Sequence, residues 1–262
     1  MSLYSHRRLS GSWVVSLVTG LLILFVWEAS VRLGGIKRVY VSPPSEIVSA
    51  LWNLIQHGYA STALSAQIGA SVGRVFLGYV LAVLTAVPVG LLMGKSQFIQ
   101  RVVDPVLQTY RPIPPIAYIP LLIIWFGIGE LPKVILIFLA VFPVVCLNSF
   151  DGVGNISDTK MRAAYALGAN EWQIFWLIVL PGSLPHIATG LRIGIGSAWM
   201  AVVAAETIAA DSGLGWMALD SSRYLRTDLV ILGILIIGLI GFSLDLTFRL
   251  LEERLLPWRG KD

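Results

Sequence analysis

The sequence predicts an all-α, polytopic membrane protein, and three observations carry that prediction. Apolar residues make up 56% of the 262 residues, while charged residues make up 13%. A soluble domain carries roughly 25% charged residues, so the solubilising charge is about half the usual. Mean hydropathy is +0.79. The apolar residues also gather into six blocks, each of the order of the ~20 residues a helix needs to cross a hydrocarbon core. These features exclude a disordered tail, a soluble nucleic-acid binder and an ordinary cytosolic enzyme.

The first span is expected over residues 12–33. His6-Arg7-Arg8 and the apolar run from Trp13 to Trp27 mimic a secretory signal. However, Glu28, Val31 and Arg32 stand where a small-residue cleavage site would lie, and the run is long for a signal core. The expectation is an uncleaved transmembrane helix. Pro43-Pro44-Ser45-Glu46 then opens a short amphipathic helix capped by Ser45, with Ile47, Ala50, Leu51 and Leu54 on one face. It is placed on the outer membrane surface. The second span covers 65–93, with Pro88 near its end. The third covers 113–128, with Pro112, Pro114, Pro115 and Pro120 bending or unwinding its entrance. Gly127-Ile128-Gly129-Glu130 turns the chain into the fourth span, 131–150. The fifth is 183–210 and the sixth 229–251. In lipid every backbone amide must be satisfied internally, so these blocks form helices. The alternation of barrel strands is absent.

Basic residues give the orientation. With the N-terminus inside, twelve of the 19 Lys and Arg residues fall on the inner side, six on the outer, and Arg74 within a span. The excess predicts both termini in the cytoplasm. The transmembrane domain is thus 12–251, between cytoplasmic tails 1–11 and 252–262, and its longest inner connection is 151–182.

Charge inside a bilayer costs about 2.5 to 3.5 kcal/mol on insertion scales, so Arg74, Glu206, Asp245 and Glu28 should pair or face water. Two readings of Arg74 stand open. It attracts an anionic solute in the pore, or it bridges to Glu206 between helices. Gly190, Gly194, Gly196 and Ser197 line one side of the fifth span, where small residues permit close helix packing. Broken helices often line binding cavities, which makes Pro114 and Pro115 a second candidate for the solute pathway, beside Arg74 and Glu206.

Other signals are weaker. Gly90-Leu-Leu-Met-Gly94-Lys95-Ser96 has three residues between its glycines where a phosphate-binding loop needs four. Lys95 marks a membrane boundary instead. Cys146 is alone in an apolar block, so no internal disulfide and no metal cluster is indicated. His6, His57 and His186 are scattered, and no Ser-His-Asp or paired-carboxylate set appears, so the chain is expected to have no catalytic residues and no metal of its own.

The inner connection carries the most information. Ser157 or Asp158 can cap a first helix, and Gly168 can take the left-handed conformation that closes it. Asn170 can cap a second helix, with Glu171 in its first turn and Pro181 limiting it. A helix this short is unstable alone in water, so it should dock on something. Met161, Ala164, Tyr165 and Gly168 form the stripe expected to do so.

The spacing Arg162-Ala163-Ala164, three residues, Gly168, nine residues, Ile178-x-Leu180-Pro181 resembles the EAA loop of ABC importer permeases. That pattern reads Glu-Ala-Ala, three residues, Gly, nine residues, Ile-x-Leu-Pro. Arg162 replaces the leading Glu. Tyr110 through Glu130, Leu191 to Gly196, Ala204 to Ala210 and the tail from Arg254 to Gly260 resemble the taurine, aliphatic sulfonate and nitrate branch, closest to its taurine members. The resemblance implies a type I importer fold in a bacterial inner membrane. It also implies a second copy of this chain, two ATP-binding subunits that hold ATP and Mg, and an extracytoplasmic solute-binding protein. Arg162, Ala163, Ala164, Tyr165, Gly168, Ile178, Leu180 and Pro181 would then couple the permease to its ATPase. The solute would be taurine or another sulfonate, with nitrate, bicarbonate or a heterocycle as same-family alternatives. An ATP-independent secondary transporter or channel is the alternative from another class, and it assigns no role to residues 158–168.

Overall fold

Residues 12–255 are described by the computed structural model, and among them the regular structure is helical, with one isolated bridge between Tyr59 and Thr62. The expected tails fall largely outside these residues. The last helix runs to Leu255, past the expected boundary at 252.

The chain divides into two compact units. One holds the described residues up to Leu64 together with Ala218–Ile234, and the other holds Ser65–Met217 together with the chain from Leu235 onward.

The first unit begins with α1 (Ser12–Arg32), whose apolar side chains are exposed nearly all round, as in a helix that faces lipid. Its end is fixed to α2 (Pro44–His57). Glu28 accepts hydrogen bonds from the Ser45 backbone N–H at 3.0 Å and from the Ser45 hydroxyl at 2.7 Å, and it pairs with Arg32. Ser45 therefore does not cap α2 with its side chain as expected. Pro43 stands at that position with no side-chain cap, and the Ser45 hydroxyl is engaged by Glu28. The predicted face of α2 is otherwise correct in three of its four residues: Ile47, Ala50 and Leu54 are buried, and Leu51 is half-buried. Tyr59 donates its hydroxyl hydrogen to Asp220 (2.8 Å), and Thr227 donates to the Val39 carbonyl (2.6 Å).

The second unit is built on α3 (Leu64–Lys95), α6 (Glu130–Gly154) and α9 (Leu180–Ala209), with the later part of α11 (Thr227–Leu255). Without water to drive association, helices in lipid pack through small residues. A Cβ on Gly90 would overlap the Cys146 carbonyl and lie 2.7 Å from Ser149 Cβ, which seats α3 on α6. The phosphate-loop look-alike is thus the last turns of a packed helix, and Lys95 sits over the Phe175 ring, 5.9 Å from its centroid. A Cβ on Gly190 would lie 2.6 Å from Asn148 Cβ, which seats α9 on α6 within the same subunit. Gly196 has open space instead. Arg192 pairs with Asp245 (2.8 Å), joining α9 to α11.

Among the described residues, five helices are long and apolar enough to cross a membrane: Val15–Arg32, Leu64–Lys95, Glu130–Gly154, Glu171–Ile208 and Thr227–Leu255. The expected third span differs. Pro115–Tyr118 is a 3-10 turn, and α5 is only Ile119–Phe126. Pro112, Pro114 and Pro115 supply no backbone N–H, so no α-helical ladder can form across them. A further helix stands between the second and third expected spans, where no element was assigned: α4 (Gln97–Tyr110), capped by Ser96. The fifth span also begins earlier than residue 183. A first turn, α8 (Glu171–Ile174), runs through a π turn (Phe175–Val179) directly into α9. Pro181 does not stop that helix. Its missing N–H and its ring crowd the preceding turn, and the ladder widens there instead of breaking.

Candidate coupling loop and solute pathway

The loop after α6 folds much as its residues dictate. Ser157 caps α7 (Asp158–Ala166), accepting from the Lys160 N–H at 3.4 Å. Gly168 has φ +78°, and the N–H groups of Gly168 and Ala169 return to Tyr165 and Ala164 carbonyls (both 3.0 Å). Only a residue without Cβ takes that conformation at no steric cost. Asn170 and Gln173 then form a reciprocal capping box, both bonds 2.9 Å. Tyr165 donates to Glu171 (2.8 Å), and that carboxylate raises the phenol above its usual pKa.

The stripe expected to dock outward is turned partly inward. Ala164 is buried with Ile174 and Val179, and Met161, Val153, Ile156 and Ile178 pack around them. The apolar contacts that α7 needs come from its own chain. What it leaves exposed is Arg162, Ala163, Tyr165 and Leu167, the last 88% exposed, with Trp172 nearby at 70%. Leu167 and Trp172 were not identified from sequence; a large apolar residue directly before a helix-closing glycine was the available signal for Leu167. Beside α7 lies a groove of about 910 Å3, lined by Lys160, Ala163, Leu167, Leu177, Ile178 and Pro181 among others. Leu180 begins α9 above it.

Arg74 is buried in α3 and lies at the centre of a polar cluster. Its Nε and Nη2 donate to Glu130 (2.6 and 2.8 Å), Nη1 to Glu206 (2.7 Å), and Nη1 and Nη2 to the carbonyl and hydroxyl of Ser212 (2.8 and 3.0 Å). A guanidinium has five N–H donors, and these five bonds occupy all of them. Glu206, fully buried, accepts in addition from the Ser71 hydroxyl (2.8 Å) and the Gly215 N–H (2.9 Å). Gln67 accepts from the Gly213 N–H (2.6 Å), and Ser71 from the Leu214 N–H (2.9 Å). Gly213 has φ +115°, and a Cβ there would overlap the Glu206 carboxylate. Lys133 holds Glu130 from the other side (2.8 Å).

The Arg74–Glu206 bridge is therefore present, and no N–H of Arg74 remains for a solute. Arg74 and Glu206, expected as solute-pathway groups, form a closed clamp that ties α3, α6 and α9 to the turn at 211–215. Glu130 is the partner that sequence did not reveal. It lies 56 positions from Arg74, and nothing in the local pattern links them. Pro114 is exposed, while Pro115 lines a cavity of about 430 Å3 between the broken helix, α6 and α9.

The family described as "Binding-protein-dependent transport system inner membrane component" matches residues 86–257, about two-thirds of the chain. This chain belongs to that family. The permease is 41% identical to the taurine transport system permease protein TauC of Escherichia coli K12, over 97% of this chain and 95% of the relative. It is 33% identical to the putative aliphatic sulfonates transport permease protein SsuC of Bacillus subtilis 168, over 95% of this chain and 88% of the relative. The nitrate import permease protein NrtB of Synechococcus elongatus is 32% identical, over 92% and 86%. Among solved structures, the inward-facing MetNI methionine ABC transporter covers 77% of this chain and 97% of its own, with a TM-score of 0.59 at 19% identity, a likeness of fold. The permease is a multi-pass membrane subunit that forms the translocation pore of an ABC importer, of the type I fold. In this family ATP is bound by a partner ATPase, and solute arrives on a binding protein.

Proposed function

We propose that the permease imports taurine or a closely related aliphatic sulfonate. The observation that carries this is the 41% identity to a taurine permease over 97% of the chain. Two copies form the pore, two ATPase subunits hold ATP and Mg, and this chain contributes no catalytic residue. Both termini are cytoplasmic, and the membrane domain is 12–251. Coupling runs through 158–181. Ala163, Tyr165, Leu167 and Arg162 meet the ATPase, while Ala164, Ile178, Leu180 and Pro181 hold α7 against the membrane helix. Arg162, where the pattern has Glu, presents a cation, so the facing ATPase surface carries an acidic group.

The test is uptake of radiolabelled taurine into proteoliposomes that contain the permease, its ATPase and its binding protein. ATP-dependent accumulation that taurine and alkanesulfonates compete for, and nitrate does not, is the expected result. Uptake without any ATPase subunit would refute the importer assignment, and accumulation of nitrate alone would refute the solute.

A further inference from the structure

The cavity of about 430 Å3 beside the broken helix is lined by one cation, the exposed Arg111. Its wall includes Tyr110, Arg111, Pro115, Pro143, Ser197 and Met200. Among the described residues, the Arg111 guanidinium has neither a hydrogen bond nor an ion pair. Arg32, Arg74, Lys133 and Arg192 each have a carboxylate partner. Arg111 differs from those four in having no carboxylate partner, and it is the one charged side chain in the lining of this cavity.

The surrounding structure is firm. The Tyr110 ring stacks on Tyr118 with centroids 5.3 Å apart, and its hydroxyl donates to the Leu139 carbonyl (2.8 Å). The Arg111 backbone N–H is held by Leu107 (2.9 Å). Residues 111–114, which carry two of the prolines, are irregular backbone. Irregular backbone beside a broken helix often lines a binding cavity, and Arg111 and Ile113 do so here. The rest of the lining is largely apolar, and Met200 is 76% exposed on the open side. A guanidinium presents a planar fork of N–H donors that matches an oxyanion. One such group at the mouth of an apolar hollow fits an anion with a charged head and a short carbon chain.

We propose that this cavity is an anion-binding stage of the translocation pathway, with Arg111 holding the sulfonate oxygens and the apolar wall formed by Pro115, Pro143 and Met200 holding the carbon chain. The proposal deepens the sulfonate reading and rests on it. It gives the permease its own selectivity for charge, separate from that of the binding protein.

The test uses the whole importer in proteoliposomes, with taurine, methanesulfonate and nitrate as probes. Arg111→Gln is expected to lower the initial rate of taurine uptake at least ten-fold while ATP hydrolysis stimulated by the binding protein persists. Arg111→Lys is expected to fall between. A second readout places a thiol in the cavity. Cys146 is buried, so Ser197→Cys supplies the accessible one. A sulfonatoethyl thiosulfonate reagent should label it faster than a trimethylammonioethyl one, and adding R111Q should lower that ratio several-fold. Wild-type taurine uptake by R111Q, an unchanged labelling ratio, or failure of R111Q to assemble would each overturn the cavity assignment and leave the taurine reading standing. A wild-type importer that moves nitrate but not taurine, with nitrate uptake reduced by R111Q, would overturn the taurine reading and keep an anion stage at Arg111. Uptake of none of the three anions would overturn both.

Discussion

Replacing Arg74 by Gln separates its two possible roles. The substitution removes the counter-charge of Glu206, which is fully buried, and of Glu130, whose side chain is 60% exposed. Removing one partner of a buried pair costs about 3 to 5 kcal/mol. Glu130 adds little, because an exposed pair is worth at most about 1 kcal/mol and Lys133 still holds it. Glu206 keeps Ser71 and Gly215, so the low end, about 3 kcal/mol, applies. At roughly 2 to 4 °C per kcal/mol for a domain of this size, thermal inactivation of the detergent-solubilised importer should move down by about 6 to 12 °C. Size-exclusion recovery after heating measures it. The double variant R74Q/E206Q removes both charges and should restore most of the loss. R74Q with wild-type thermal stability and full assembly but no taurine uptake would refute the clamp and revive solute contact.

Three further outcomes follow from the same geometry. Gly168→Val places a β-branched residue at φ +78°, a strain of about 1 to 3 kcal/mol. It should uncouple ATP hydrolysis from uptake, measured as ATP consumed per taurine imported. Leu167→Ala should leave the thermal stability of the isolated permease within about 0.5 kcal/mol and yet reduce co-purification of the ATPase, because the side chain is 88% exposed; undiminished co-purification would count against the docking surface. Gly90→Ala drives a methyl into α6 and should cost about 1 to 3 kcal/mol, whereas Gly196→Ala, with open space around it, should be neutral in the same melting assay.

The long spans were legible because apolar content over twenty residues is a strong signal that needs no tertiary information. The loop 157–173 was legible for a different reason: its caps and its glycine are local chemistry, and each acts within three residues of its partner. Four features differ from the expectations or lie outside them. The stretch Gln97–Tyr110 carries apolar pairs at 98/99, 102/103 and 106/107 after a Ser96 cap, a helical period that is hidden only beside longer continuous hydrophobic runs. The third block has the composition of a span but not the hydrogen-bonding capacity, because prolines at 112, 114 and 115 remove donors where a helix would have to begin. The unwound entrance was expected from those prolines; what composition did not reveal is how little regular helix, Ile119–Phe126, is left beyond it. At Arg74 the charge was correctly expected to pair, but Glu130 comes near only through the packing of α6 on α3. The inward turn of Ala164 likewise depends on Ile174 and Val179, which fold back only after the Gly168 turn is made.

From Glu171 to Ile208 the backbone is one helical run of 38 residues, about 57 Å at 1.5 Å per residue. Such a rod acts as a lever. A tilt of about 5° at the end near α7 displaces the other end by about 5 Å over that length. The far end is not idle, since Glu206 anchors it to Arg74. The π turn at 175–179 interrupts the α-helical ladder, and such a turn is where a long helix bends, so a displacement at the α7 end divides there between bending and transmission.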